Sequence, residues 1–191
     1  MKRTFTSMIG LLVAALILAA LPTEADAAIY KDTVRLHILA PSDSEEDQAL
    51  KLALRDALLE KYSIALSRSE SSEEAKLEVY RMLPEIEAFT NEALRELGYE
   101  GGATVELIDE WYDRREYDGF TLPGGVYTSL KIVIGEGEGK NWWCVMYPPM
   151  CLGASTAKGG YTSEEEALIS KSGYVVKSKL LELVSSISKR R

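Results

Sequence analysis

Histidine occurs once in this 191-residue chain, at position 37, and cysteine twice, at 144 and 151. That scarcity bears on chemistry first. A nucleophilic serine or cysteine needs a base, and His37 is the single candidate for either. A structural zinc site takes about four nitrogen or sulfur ligands, so three such side chains would have to recruit carboxylates. No metal and no cofactor are expected. Basic residues are also in deficit: 22 Lys and Arg stand against 30 Asp and Glu, for a net charge of −8. Nucleic acid and anionic lipid are both recognised through clustered cations, so neither is an expected partner. The terminal Lys189–Arg191 triplet reads as favourable charge at a helix C-terminus.

Long apolar runs are lacking as well. The longest, Met8 to Leu21, has about fourteen residues, short of the roughly twenty an α-helix needs to span a bilayer. Lys2 and Arg3 precede it, and Pro22 and the small-residue sequence Ala25-Asp26-Ala27 follow. That order is the one a secretory signal peptide shows, with cleavage expected between Ala27 and Ala28. The remaining residues, 28–191, keep the net charge of −8, because Lys2 and Arg3 leave with Glu24 and Asp26. They are enough for one domain with one core.

Local periodicity suggests the elements. Thr33 to Leu39 alternates Val34, Leu36 and Ile38 with Arg35 and His37, as a strand with one buried and one polar face does. Pro41 ends it. Ser44 then suits a helix N-cap, with Glu45, Glu46 and Asp47 in the first turn, and Leu50, Ala53, Leu54, Ala57 and Leu58 form one helical stripe. A Ser/Glu stretch, 67–74, leads to a second helix, which Pro84 is expected to break or kink. A third carries Ile86, Phe89, Ala93 and Leu97 and ends at Gly98.

Strands are expected at Thr104–Tyr112, Val126–Ile134 and Trp142–Tyr147, the last two joined as a hairpin by the glycines of "GEGEGKN". A tryptophan-rich strand follows those glycines where a phosphate-binding loop would need a helix. "DSEED" likewise lacks the glycine and terminal glutamate of a calcium loop. Val175 to Ser188 reads as a final amphipathic helix. The expected fold is α+β: one domain with an antiparallel sheet of about four strands and about four helices.

The densest stretch is "NWWCVMYPPMC", Asn141 to Cys151. In an exported protein two cysteines with six residues between them are expected to pair, and closing so short a loop contributes roughly 2.5 kcal/mol. Trp142 and Trp143 point to opposite faces of a regular strand, so each is either core or a partner contact beside the rigid Pro148-Pro149 turn. A second contact candidate is the polar face of the first strand with the helix start beyond it: Arg35, His37, Ser42, Asp43 and Arg55. The alternative for that group is a structural network in which Arg55 pairs with loop carboxylates. A hydrolase working through two carboxylates also stays open, because the chain is rich in acids and their separation is invisible in sequence.

Three long strings resemble the stage II sporulation protein R family: "VRLHILAPSDSEEDQALKLALRDALL" from Val34, "LPGGVY" from Leu122, and "IGEGEGKNWWCVMYPPMC" from Ile134. Pro41 and Gly124 depart from that pattern, both in loops. The resemblance implies a protein made in the forespore and exported into the space between the forespore and mother-cell membranes. There it would act as a ligand, not an enzyme, on a membrane-embedded aspartic protease of the mother cell that processes the precursor of sigma factor E. The competing reading is a secreted wall-directed hydrolase.

Overall fold

The computed structural model describes residues 2–20, 24–66, 68–117 and 120–148. Helix α1 (Lys2–Ala20) and the short α2 (Glu24–Lys31) precede strand β1 (Val34–Leu39). Two long helices follow, α3 (Glu45–Leu66) and α4 (Ser72–Glu96), then β2 (Ala103–Tyr112) and a ribbon of two-residue strands, β3 (Arg115–Glu116) and β4 (Thr121–Leu122). Strands β5 (Gly125–Ile134) and β6 (Asn141–Tyr147) complete the described chain. The expected helix at 175–188 lies outside the described residues. No described helix is long and apolar enough to cross a membrane.

The helix boundaries follow from caps. The Asp47 amide donates to Ser44 Oγ at 3.1 Å and the Gln48 amide to the Ser44 carbonyl at 3.0 Å, so Ser44 caps α3 as its position suggested. Ser71 caps α4 in the same way through the Glu74 amide. At its far end Gly98 takes φ +83°, and the amides of Gly98 and Tyr99 donate to the carbonyls of Arg95 and Leu94. That pair of bonds is a Schellman closure, and its positive φ is why glycine stands there.

Between these caps the structure corrects the expectation at Pro84. Residues 72–96 form one helix with Pro84 inside it, not two. Pro84 faces solvent, so water can satisfy the Tyr80 carbonyl left without its donor, while Val79, Ile86, Thr90, Ala93 and Leu94 are buried on both sides of it. Burial of that stripe against the sheet outweighs the loss of one helical bond.

The sheet runs β2-β5-β1-β6, and here too an expectation is corrected. It is mixed: β1 lies parallel to β5, with Leu36 opposite Leu130 and Ile38 opposite Ile132, and antiparallel to β6. Parallel neighbours need a crossover, and α3 with α4 carries the chain back across one face before β2 and β5 return. The "GEGEGKN" hairpin is corrected for the same reason. β1 sits between β5 and β6, and the connection passes over its end. There the Gly139 amide donates to the Ala40 carbonyl at 2.9 Å, so close that a Cβ on Gly139 would stand 2.1 Å from the Ser42 oxygen. Only glycine fits.

The main core lies between this sheet and α3 and α4. It joins Leu36, Ile38, Leu130, Ile132 and Cys144 to Leu54, Leu58, Val79, Ile86 and Leu94. A second cluster on the other face of the sheet packs Ile29, Tyr112, Leu122, Tyr127 and Val145 under α2 and the β3–β4 ribbon. The expectation that β1 has one solvated face is therefore overturned. Arg35 has no exposed surface and His37 is 8% exposed, because each face of a central strand has its own cover.

A candidate functional site on the second face of the sheet

Alternation along β1 sends Leu36 and Ile38 into the helical core and Arg35 and His37 to the opposite face. Register then supplies their neighbours. Arg35 stands between Ser129 of β5 and Val145 of β6, and His37 between Lys131 and Trp143. β2 adds Glu110 and Tyr112 on the same face. Glu110, Tyr112, Ser129, Lys131 and Arg115 carry no local signal that marks them, because the contacts that join them to His37, Arg35 and Trp143 come from other strands; Asn141 opens the stretch noted above, but its contact with His37 spans 104 residues.

His37 is held at both ring nitrogens. Nδ1 is 2.8 Å from Glu110 Oε1, and Nε2 is 2.7 Å from Asn141 Oδ1. Both contacts are of hydrogen-bond length, with the donor and acceptor roles set by the ring's tautomer. Its flat face stacks on Trp143 with centroids 5.6 Å apart and planes at 29°. Glu110 is the hub. Tyr112 donates its hydroxyl to Glu110 Oε1 at 2.7 Å and, at 2.7 Å, can accept from Ser129 Oγ, while Lys131 Nζ lies 3.8 Å from Oε2.

Burial by itself raises the Glu110 carboxyl pKa, but hydrogen bonds from Tyr112 and His37 and the charge of His37 outweigh it. The net result is a carboxyl below its ordinary range. Tyr112 moves the other way: burial, reinforced by the carboxylate it donates to, pushes its phenol up. The network therefore centres on an ionised Glu110 beside a Tyr112 phenol that holds its proton.

Arg35 lies beneath. Its guanidinium carbon is 3.7 Å from the Tyr112 ring centroid, 5.0 Å from that of Tyr127 and 5.9 Å from that of Tyr117, and Nη2 donates to the Tyr117 hydroxyl. At the rim, the Arg115 guanidinium covers Trp143 at 3.7 Å, and Tyr117 stacks on Phe120 at 4.7 Å.

The remaining sequence candidates sit elsewhere. Ser42 and Asp43 tie the β1–α3 junction to the β5–β6 loop: Ser42 Oγ donates to Asp47, and Asp43 Oδ1 accepts from the Lys140 amide at 2.7 Å. Lys51, 4% exposed, donates to the Lys140 carbonyl from the same corner, and burial pushes its ammonium pKa down. Arg55 is on the helical side. It pairs with its neighbour Asp56 at 2.6 Å, not with the loop, and its guanidinium lies 5.1 Å from the Trp142 ring centroid.

The two tryptophans do point to opposite faces, Trp142 against the main core and Trp143 against the second cluster. Both are half-buried, each beside an arginine, so neither is the one freely exposed ring. Pro148 is buried behind a cis Tyr147–Pro148 bond. Pro149 and Cys151 lie outside the described residues, and with them the Cys144–Cys151 pairing. Cys144 itself is fully buried in the main core. Ala27 and Ala28 fall within α2, whose next residues belong to the domain: Ile29 has no exposed surface, and the Tyr30 hydroxyl donates to the Gly124 carbonyl at 2.8 Å.

Among known proteins, the stage II sporulation protein R family matches residues 30–157, a stretch containing the sheet and both long helices. Stage II sporulation protein R of Bacillus subtilis (strain 168) is 36% identical over 124 residues, 65% of this chain. The alignment spans 55% of that relative's length, little more than half. No solved structure matches.

Proposed function

The chain belongs to the stage II sporulation protein R family, and from that premise we propose that it is a secreted signal of endospore formation that switches on a membrane-embedded aspartic protease of the mother cell. Activation of that protease leads to processing of the sigma factor E precursor. On this reading residues 1–27 direct export, and the folded domain works in the space between the forespore and mother-cell membranes.

The observation that carries the proposal is the family match across residues 30–157. The geometry supports a ligand over an enzyme. Both His37 nitrogens are engaged by Glu110 and Asn141, so neither is placed to take a proton from a nucleophile. A glycosidase needs one carboxyl whose pKa is raised to act as acid, and Glu110, at the centre of the site, is shifted the other way. The Cys144–Cys151 bond belongs to the same proposal, and it is supported by the absence of a free thiol at Cys144. It would hold the chain after β6 close to the sheet and lower the ordering cost of binding.

Reconstitution is the test. Purified residues 28–191, added to vesicles carrying the protease and supplied with the precursor, should produce dose-dependent processing. Processing that proceeds equally without the chain, or fails at every dose, overturns the proposal.

A further inference from the structure

Arg35 is fully buried, yet its Nε and Nη1 have no hydrogen-bond partner among the described residues. Only Nη2 is satisfied, by the Tyr117 hydroxyl, and the charge is otherwise met by aromatic faces instead of a carboxylate. A buried guanidinium with two idle donors is costly, and its planar fork matches a carboxylate.

The surroundings point the same way. Arg115 has no ion pair among the described residues, and its guanidinium carbon lies 3.7 Å from the Trp143 ring centroid. Lys131 is about a quarter exposed and reaches Glu110 only at 3.8 Å. Cations Arg35, Arg115 and Lys131 thus face two carboxylates, Glu110 and the exposed Glu106, which is the cross-strand neighbour of Lys131. That is a cationic face on a chain whose net charge is −8. The roof over Arg35 is slight: Tyr117 and Phe120 ride on two strands of two residues each, joined by the Tyr117 amide to the Phe120 carbonyl at 2.8 Å.

We propose that this face receives an acidic segment of a partner protein, which under the function proposed above is the protease. Its carboxylates pair with Arg115 and Lys131 beside Trp143, and one takes up the idle donors of Arg35 in place of the Tyr117 hydroxyl. A protein segment is favoured over an anionic lipid surface because the donors lie in a buried fork and not on an exposed basic plane, and the rest of the chain repels anionic lipid.

The experiment is a titration of isotope-labelled residues 28–191, following the arginine Nε–H signals and the indole of Trp143. Hexaglutamate is expected to move the signals of Arg35, Arg115 and Trp143, and hexalysine is not. The double variant Arg115→Gln/Lys131→Gln, checked to be folded, should bind hexaglutamate roughly tenfold more weakly. Arg81→Gln, on the exposed side of α4, should bind as the parent does. Equal responses to both peptides, no movement of Arg35 and Arg115, or movement only with phosphatidylglycerol vesicles would each overturn the inference. In the processing assay, a double variant as active as the parent refutes this site and leaves the proposed function standing. A parent chain that binds hexaglutamate but never activates processing refutes the function and not the site.

Discussion

Removing the Glu110 side chain is the sharpest probe of the polar network. Glu110→Ala leaves His37 Nδ1 without its charged partner in a site where His37 is 8% exposed, a loss of about 1.5–3 kcal/mol for a hydrogen bond to a charged group. Tyr112 loses a second bond worth about 1 kcal/mol but keeps Ser129. The Lys131 contact at 3.8 Å adds little. The expected cost is therefore about 3 kcal/mol, a large share of the roughly 5–15 kcal/mol that holds a domain together. Glu110→Gln keeps one acceptor oxygen and should cost about half as much. Urea unfolding at neutral pH measures both. The pH dependence has a definite sign: the folded Glu110 pKa is depressed, so its contribution is present above the unfolded value, near 4.5, and fades as pH falls through the folded one. The gap between the parent and Glu110→Gln should narrow as pH falls below about 4.5. A Glu110→Ala loss under about 1 kcal/mol, or a gap that does not narrow on acidification, would refute this account of the network.

Other expectations follow from packing, close approach and chain chemistry. Leu54→Ala, at a position with no exposed surface between α3 and the sheet, should cost about 2–5 kcal/mol in the same unfolding assay. Gly139→Ala places a methyl against the Ser42 carbonyl and should speed hydrogen exchange at the residue 139 amide, which now donates to Ala40, while the main core stays protected. Replacing Cys144 and Cys151 by serine should lower stability and weaken activation only in part, with full processing restored at high concentration; a folded variant inactive at every dose would point to covalent chemistry instead. Intact mass of the exported protein should begin at Ala28, with the thiols oxidised before reduction.

Most individual elements were legible in the sequence because the signals that create them are short-range. Alternation of Val34, Leu36 and Ile38 placed β1, the Leu50-to-Leu58 stripe placed α3, and Ser44 and Gly98 marked helix ends that the hydrogen bonds bear out. Each depends on backbone geometry within a few residues. The family, too, was carried by contiguous strings. Pro84 shows where such reasoning stops: locally the ring breaks a helix, but the buried stripe on either side of it holds α4 in one piece.

What only the tertiary structure decided is which distant segments meet. Nothing near Val34 says that β1 lies parallel to β5 with β6 on its other edge; that order is selected by the need to cover both faces of a strand whose residues 34–38 are all buried. The site depends on the same choice. His37 and Glu110 are 73 residues apart, and His37 and Asn141 are 104 apart. Arg35, which reads locally as the polar face of a half-buried strand, becomes a buried cation only because Tyr112, Tyr117 and Tyr127 converge on it from other elements. Periodicity reports the faces a segment has, whereas pairing is settled by the free energy of burying those faces against particular partners, and that quantity belongs to the whole chain.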